Sequence, residues 1–310
     1  MKKEITFKSK DDLTTIHGII WEPTEAPKGI LQILHGMNGH IERYESTAAF
    51  FNKMGFIVCG HSSLGHGKSV IDKEHLGYFA KKDAPNILID DTLEMTFRVK
   101  EQYPDLPITL LGYSFGSTIA RNYLNKYSQY LDGLILMGAP MHSNFKMNYA
   151  LLHSSIVSFY KRGEFYRSKN IENLTTGSFK KYFKTKNKLA WMSKDEEYLA
   201  DYANDPLVKF RFTINGYKTM FKLIKSANAN FKTVENKNLP IMILSGKDDP
   251  VTNFGEAAVK LDKYLKNKKF TNVRYKTYNG LRHSLLNETE KDIVLNDILF
   301  FLENINKKRG

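Results

Sequence analysis

The most reactive pattern in the chain is a Gly-x-Ser-x-Gly motif formed by Gly112, Ser114 and Gly116. It follows an apolar run and precedes a helical pattern, so the two glycines permit a sharp turn that lifts the Ser114 hydroxyl off the end of a strand. The alternative is an ordinary glycine-rich turn between a strand and a helix. A serine hydroxyl is a weak nucleophile, and the motif therefore requires a general base and an acid elsewhere in the chain.

Two further segments supply that acid and that base. Together with Ser114 they give the chain order Ser, Asp, His that this fold requires. Asp249 follows an apolar run and is preferred to Asp248, because Pro250 fixes the turn directly after it. His283 lies between the last apolar run and the last helical pattern, and it is the only histidine C-terminal to Asp249. The sequence therefore predicts a catalytic triad of Ser114, Asp249 and His283, with acyl transfer as its chemistry.

Acyl transfer also needs hydrogen-bond donors for the negative oxygen of the tetrahedral intermediate, and these are commonly backbone N–H groups. We expect one from Phe115, directly after the nucleophile. The second should come from the loop after an earlier strand, within Leu34–His40. Met37 is the candidate there, because Gly36 before it lets the backbone turn inward.

Motifs for a metal ion or a nucleotide are incomplete. His35 and His40 have no third ligand at a convincing spacing, and no His-Glu-x-x-His sequence is present. Gly65–Ser69 reads Gly-His-Gly-Lys-Ser, like the end of a phosphate-binding loop, but Ser62 stands where that pattern requires glycine. We therefore expect no cofactor and no metal.

The elements that must position these side chains alternate between buried strands and amphipathic helices. Helical patterns cover Tyr44–Met54, Ile87–Tyr103 and Ile293–Ile305. β-branched runs separated by helices indicate an α/β fold with a mostly parallel sheet covered on both faces, which binds ligands at its carboxyl edge. The predicted strands are Ile16–Trp21, Gly29–Leu34, Phe56–Cys59, Ile108–Leu111, Leu134–Met137, Ile241–Leu244 and Val273–Tyr278.

The alternation stops between residues 141 and 235, where the chain is mainly helical and rich in Phe and Tyr. We predict a core of residues 1–140 and 236–310, with 141–235 inserted as a helical cap over the carboxyl edge of the sheet. Some cap aromatics should line an apolar pocket for an acyl chain, and others could rest on a lipid surface. For any single one, packing of the cap onto the core is the simpler expectation. They are Phe145, Tyr149, Phe159, Tyr160, Phe165, Tyr166, Phe179, Tyr182, Phe183 and Trp191.

These segments together resemble the monoglyceride lipase/lysophospholipase branch of the α/β-hydrolase superfamily, whose members are often described as serine aminopeptidase-like hydrolases. The resemblance spans nearly the whole chain. The matching motifs are His35-Gly36 with Glu42-Arg43-Tyr44, Gly65–Ser69, Tyr103–Pro107 leading into Gly112–Ser117, Asn204–Leu207, Gly246–Val251, and Arg282-His283 with Asn287-Glu288.

The resemblance implies an α/β-hydrolase fold with an eight-stranded sheet and a serine esterase that needs no cofactor. Its substrates would be monoacylglycerols, lysophospholipids or similar single-chain esters, cleaved through an acyl-enzyme on Ser114. A short-chain carboxylesterase, a thioesterase or a peptidase could use the same triad. A non-catalytic lipid-binding protein is a further alternative, which the Ser, Asp, His order argues against.

Five positions depart from the pattern of this branch. The changes around the nucleophile imply a different pocket shape, and those before Gly-His-Gly imply the loss of a supporting ion pair and lower local rigidity. Because of the change after His283, the family pattern does not predict which residues surround that histidine. The departures are Tyr113 for His, Phe115 for Met, Ser62 for Asp, Leu64 for Arg and Ser284 for an acidic residue.

The cysteine content and the apolar runs of the sequence bear on the cellular compartment of the protein. The lone Cys59 excludes an intramolecular disulfide framework and fits a reducing compartment. The first 12 residues lack the apolar stretch of a secretory signal, and no run approaches the roughly 20 apolar residues that span a bilayer. We expect a cytoplasmic protein, with or without peripheral attachment to a membrane.

The net charge of +13, from 46 Lys and Arg against 33 Asp and Glu, suggests an anionic partner. The basic residues are spread along the chain without a reading motif, so we do not expect nucleic-acid binding. Lysines interleaved with aromatics in the cap favour peripheral contact with an anionic membrane. A lysine-rich composition without any partner is the alternative, and nothing in the sequence indicates an oligomeric state. The cap lysines are Lys180, Lys181, Lys184, Lys186 and Lys188.

Overall fold

Eight strands form one sheet in the computed structural model, which describes residues 1–161, 163–228 and 231–307. Their order across the sheet is β1-β2-β4-β3-β5-β6-β7-β8. β2 pairs antiparallel with β1 and β4, and all other neighbours are parallel, which confirms the predicted mostly parallel sheet. The strands are β1 (Lys2–Lys8), β2 (Thr15–Trp21), β3 (Gly29–Leu34), β4 (Phe56–His61), β5 (Ile108–Tyr113), β6 (Gly133–Met137), β7 (Ile241–Gly246) and β8 (Val273–Tyr278).

Helices cover both faces of the sheet. Side chains of β3 alternate between the two sides: Ile30 and Leu34 join one hydrophobic cluster, and Leu31 and Ile33 join the other. α2, α3, α7 and α8 contribute to the first cluster, and α1 and α9 contribute to the second. The helices are α1 (Glu45–Lys53), α2 (Ala84–Gln102), α3 (Phe115–Tyr127), α4 (Asn144–Tyr160), α5 (Lys169–Glu172), α6 (Glu196–Asn204), α7 (Ile214–Ser226), α8 (Glu256–Asn267) and α9 (Lys291–Lys307).

The first strand, β1, has no counterpart among the strands that the apolar runs predict. It is an edge strand in which only Phe7 is buried, and its other side chains are charged, polar or half-exposed. Lys3 Nζ lies 2.6 Å from a Glu22 carboxylate oxygen at the end of the neighbouring strand. Charged residues on an edge strand discourage pairing with another sheet, and they also hide the strand from a search for apolar runs.

Residues 141–235, here termed the insertion, contain α4 to α7 between β6 and β7. No strand occurs in its described residues, and Arg162, Ala229 and Asn230 lie outside them. Ile214 and Tyr217 of α7 are fully buried in the same hydrophobic cluster as the helices of the sheet. The division into a core of residues 1–140 and 236–310 and a separate cap stays a prediction. Residues 308–310 of that core also lie outside the described residues.

None of the helices in the described residues combines the length and the hydropathy that crossing a membrane requires.

Candidate active site

Ser114 occupies the junction between β5, which ends at Tyr113, and α3, which begins at Phe115. Its backbone has φ of +52° and ψ of −114°, a conformation that a residue with a Cβ rarely adopts. This strained turn directs the side chain out of the sheet edge, as in a nucleophile elbow. The strain therefore falls on the serine itself and not on the two glycines of the motif.

The two glycines serve close packing instead. A Cβ on Gly112 would lie 2.6 Å from the Gly116 carbonyl oxygen, and one on Gly116 would lie 2.3 Å from the Leu34 carbonyl oxygen. Neither distance is compatible with a side chain. The motif thus lets α3 approach β5 and the end of β3 closely enough to place Ser114 beside the loop that follows β3.

The strain at Ser114 predicts that its replacement by glycine stabilises the fold relative to alanine. A residue held at such φ and ψ costs on the order of 1–3 kcal/mol, and the greater freedom of unfolded glycine offsets about 0.5–1 kcal/mol. We expect Ser114→Gly to exceed Ser114→Ala by about 1 kcal/mol in free energy of unfolding, measured by urea denaturation. Equal unfolding free energies for the two variants would contradict a strained elbow.

The structure brings the three predicted triad residues into one hydrogen-bonded chain. The Ser114 Oγ lies 2.8 Å from His283 Nε2, and His283 Nδ1 lies 2.8 Å from Asp249 Oδ2. Asp249 is 0% exposed, and its other carboxylate oxygen accepts a hydrogen bond from the Val251 N–H at 2.8 Å. An imidazole held in this way presents Nε2 to the serine hydroxyl, which is the arrangement that general-base catalysis needs.

Asp248, the alternative acid, has no hydrogen bond to His283 among those of the described residues. Its backbone N–H donates to the Leu281 carbonyl at 2.9 Å, while the carboxylate of Asp249 contacts the histidine. Of the two neighbouring acids in the described chain, Asp249 is therefore the one in the hydrogen-bonded chain.

Met37 and Phe115, the predicted oxyanion donors, line the same cavity as Ser114 and His283. Within the described residues, neither backbone N–H donates to a protein acceptor. Gly36 brings the loop close to the nucleophile, since a Cβ there would lie 2.9 Å from the Tyr113 ring. The left-handed residue of this turn is Asn38, with φ of +61°, and not Gly36. The geometry suits two N–H groups that remain free for a substrate oxygen.

The histidines of the Leu34–His40 loop have structural partners. His35 Nδ1 donates to the Gly36 carbonyl, and its Nε2 accepts the Ser63 N–H at 2.8 Å. Burial lowers the pKa of His35 to about 4, so the ring is neutral at pH 7. No group of three or more His, Cys, Asp or Glu in the described ranges is arranged to hold a metal ion.

The Gly65–Ser69 segment forms a buried bend under this loop. His66 is fully buried among aromatic rings, with the Phe212 centroid 5.3 Å and the Phe115 centroid 6.1 Å from its own. Lys68 pairs with Glu42 at 3.3 Å. The segment thus packs against the Leu34–His40 loop, since the His35 and His66 ring centroids are 4.9 Å apart. No pattern along the chain predicted this packing role.

An ionic cluster joins the Leu34–His40 loop to the insertion. The two ring nitrogens of His40 lie 2.7 Å from Glu42 and 2.7 Å from Asp205, and Arg43 contacts Asp205 at 3.1 Å. Burial disfavours a charge on His40, but the hydrogen bonds to both carboxylates outweigh it and raise the pKa of His40 above its ordinary value. The Asn204–Leu207 motif therefore ties the insertion to the core.

Two aromatic rings flank the imidazole of His283, and no sequence pattern predicted them. The His283 ring centroid lies 5.1 Å from that of Tyr113 and 5.4 Å from that of Trp191. The Tyr113 hydroxyl is 2.9 Å from the Ser284 hydroxyl. Two of the family departures, Tyr113 and Ser284, are therefore partners in one hydrogen bond beside the base.

A cavity of about 1200 Å³ opens above Ser114 between the core and the insertion. Of the ten cap aromatics, Tyr149, Phe179 and Trp191 line it. None of the ten is fully buried, but several pack the insertion onto the rest of the protein. The Phe165 ring stacks on that of Tyr78 with centroids 4.1 Å apart, and Tyr182, Phe183 and Trp191 contact Phe254, Arg282 and His283 respectively. Apolar side chains from α4, α5 and α7 form much of the wall: Met147, Ala150, Ile171, Met220, Phe221 and Ile224.

A mostly parallel sheet between two layers of helices, with a Ser–His–Asp chain at its carboxyl edge, defines the α/β-hydrolase class. Within that class, residues 25–290 match the sequence profile of the family described as serine aminopeptidase, S33. The chain belongs to this family.

Individual relatives agree with this assignment. The chain is 25% identical over 271 residues to the monoglyceride lipase homolog of Monkeypox virus, covering 87% of each. It is 24% identical over 283 residues to the monoglyceride lipase of Mus musculus, covering 90% of this chain and 82% of the mouse protein. The predicted resemblance to the monoglyceride lipase branch is thereby confirmed.

A solved structure of similar shape is that of a highly thermostable carboxyl esterase from Bacillus coagulans in complex with glycerol. It has a TM-score of 0.89 and 27% identity, and the match covers 98% of this chain and 99% of that chain.

Proposed function

We propose that this protein is a serine hydrolase that cleaves esters of single-chain lipids, with monoacylglycerols as its principal substrates. The observation that carries the proposal is the hydrogen-bonded Ser114–His283–Asp249 chain at the floor of a large, partly apolar cavity. The names of the monoglyceride lipases to which the chain is similar support the substrate class. The insertion acts as the cap of this cavity.

In the proposed reaction, the Ser114 hydroxyl attacks the ester carbonyl while His283 Nε2 takes its proton. Asp249 holds the imidazole and stabilises its positive charge, and the N–H groups of Met37 and Phe115 bind the oxyanion. The alcohol leaves with the proton from His283. Water then attacks the acyl-enzyme with the same base, and the fatty acid is released.

The substrate class is tested by measuring kcat/KM for p-nitrophenyl esters of increasing chain length, beside a monoacylglycerol, a lysophospholipid, an acyl thioester and a peptide amide. Each buried methylene contributes about 0.8 kcal/mol, so kcat/KM should rise roughly fourfold per methylene until the chain fills the apolar wall. A maximum at the acetyl ester would indicate a short-chain carboxylesterase. Faster cleavage of the thioester or the amide would replace the proposal with those activities.

Lysophospholipids are a second candidate substrate, because lysines surround the cavity. Four of them line it and form no ion pair within the described part of the chain. Their charges would attract a phosphate headgroup, which a monoacylglycerol lacks. A lower KM for a lysophospholipid, lost at high salt, would favour this candidate. The four are Lys146, Lys169, Lys180 and Lys188.

We also propose that α4 rests on a membrane surface. Phe145 and Phe159 at its two ends are 82% and 81% exposed, and Tyr149, Leu152 and Ile156 between them are exposed at helical spacing. The exposed Lys146 lies near the start of the helix and the exposed Lys161 directly follows it. An apolar stripe with basic residues beside it is typical of helices that lie in the headgroup region of an anionic bilayer. Such contact would place the cavity mouth near lipid substrates.

The double variant Phe145→Ser/Phe159→Ser should bind anionic vesicles at least about 100-fold more weakly, because a fully buried Phe contributes about 1.5–3 kcal/mol. Vesicle sedimentation measures this, with Phe300→Ser on α9 as a control that removes an equally large exposed ring. Neither position lines the cavity, so hydrolysis of a dissolved short-chain ester should stay at the wild-type rate. Unchanged binding of the double variant would refute the α4 surface.

A cytoplasmic location suits the single buried thiol of Cys59 and remains part of the proposal.

A further inference from the structure

We propose that a short segment of the insertion, Ala190–Lys194, positions the general base, and that Arg282 and Glu288 are the positioning residues that connect it to His283. The inference rests on the proposed hydrolase function. It assigns this part of the insertion a role in the reaction that is separate from covering the cavity.

Arg282 makes the first connection. Its guanidinium donates to the Ala190 carbonyl at 2.6 Å and to the Ser193 carbonyl at 2.9 Å. The same guanidinium lies 4.6 Å from the centre of the Phe183 ring, also in the insertion. The residue directly before His283 is therefore held at three points by a segment far away in the sequence.

Glu288 makes the second connection. This carboxylate is 0% exposed, and it accepts the Arg282 backbone N–H at 2.7 Å, the Ser193 hydroxyl at 3.0 Å and the Lys194 N–H at 2.9 Å. A buried carboxylate is stable only when its oxygens are hydrogen-bonded, and here the partners come from both sides of the junction. Glu288 therefore connects the loop that carries His283, here termed the base loop, to the insertion.

The backbone and ring of the base complete the junction. The His283 N–H donates to the Trp191 carbonyl at 3.4 Å, and the Ser284 N–H donates to the Met192 carbonyl at 2.7 Å. The Trp191 ring lies against one side of the imidazole. Because the base loop pairs with the insertion at successive residues, its position relative to Ser114 depends on Ala190–Lys194.

Arg282 and Glu288 suit a test because neither lines the cavity, so their loss should leave substrate contacts intact. We expect Arg282→Met to lower kcat about 10- to 100-fold for both a short p-nitrophenyl ester and a long monoacylglycerol, with KM changed less than about threefold. The rate of fluorophosphonate labelling of Ser114 should fall in parallel. Arg282→Lys should recover part of the loss, since its ammonium can still donate to one of the two carbonyls.

The matched control is Arg98→Met, which makes the same chemical change on α2. The Arg98 side chain pairs with Glu94 at the surface and does not line the cavity. A readout specific to positioning is the downfield proton NMR signal of the His283 Nδ1–H bonded to Asp249, which should broaden in Arg282→Met and persist in Arg98→Met. Glu288→Gln preserves side-chain shape and gives the same comparison if Arg282→Met does not fold.

Wild-type values of kcat and labelling rate in Arg282→Met and Glu288→Gln would overturn the inference. So would a loss of thermal stability with the NMR signal and the labelling rate intact, because that pattern indicates packing alone. Failure of the underlying function looks different, since the wild-type protein itself would then neither turn over an ester nor react with the probe at Ser114.

Discussion

Replacement of Ser114 by alanine should abolish ester hydrolysis, with kcat lowered by about five to six orders of magnitude. The hydroxyl that would form the acyl-enzyme is the group 2.8 Å from His283 Nε2, and without it no acyl-enzyme can form at position 114. A fluorophosphonate probe measures the same loss independently of substrate choice. It should label the wild-type protein once per chain and leave Ser114→Ala unlabelled.

Ser226→Ala provides the control, because Ser226 is an exposed serine at the end of α7 and lies outside the cavity. It should retain wild-type turnover and labelling. If Ser114→Ala were still labelled, or still hydrolysed a monoacylglycerol at a measurable fraction of the wild-type rate, the nucleophile assignment would be wrong.

Replacement of Asp249 by asparagine should lower kcat by about four orders of magnitude while the fold stays intact. The Asp249 carboxylate accepts the proton on His283 Nδ1, which leaves Nε2 free to receive the proton of Ser114. An asparagine amide at this position can donate to Nδ1, and the imidazole would then carry its proton on Nε2, where it cannot act as a base. Steady-state kinetics on a p-nitrophenyl ester would measure the effect.

Asp248→Asn is the matched control, one residue away with the same chemical change. Its carboxylate makes no contact with His283 among the hydrogen bonds of the described residues, so kcat should stay within about threefold of wild type. A large loss in Asp248→Asn together with near-normal activity in Asp249→Asn would reverse the assignment of the acid.

Sequence patterns were enough to predict the strands that consist of continuous buried apolar runs. β3 to β7 are buried along nearly their whole length, so each is visible as a run of apolar residues. The chain order of Ser114, Asp249 and His283 after such runs is enough to bring them to one edge, because parallel strands end at the same side of a sheet. Their hydrogen-bonding geometry is consistent with that reasoning.

Other features depend on contacts that spacing along the chain does not reveal. β1 has the charged pattern of an edge strand, and the Tyr113–Ser284 hydrogen bond joins residues 171 positions apart. The left-handed turns at Asn38 and Ser114 follow from tight packing around Gly36, Gly112 and Gly116, where the glycines were expected to turn instead. The contacts of the aromatic side chains in the insertion do not follow from their spacing, since an exposed ring and a core-facing ring look the same in sequence.

The position of the insertion between two adjacent strands has an evolutionary consequence. Because β6 and β7 are neighbours in the sheet, a long excursion can leave and return without disturbing the strand order. Loop-closure cost grows slowly with length, so the exposed connections within this stretch can lengthen or exchange as lineages adapt to new lipids. The buried face of α7 and the contacts of Asp205 with His40 and Arg43 constrain other parts of it. Substitutions in Ala190–Lys194 should be tolerated only together with changes around His283.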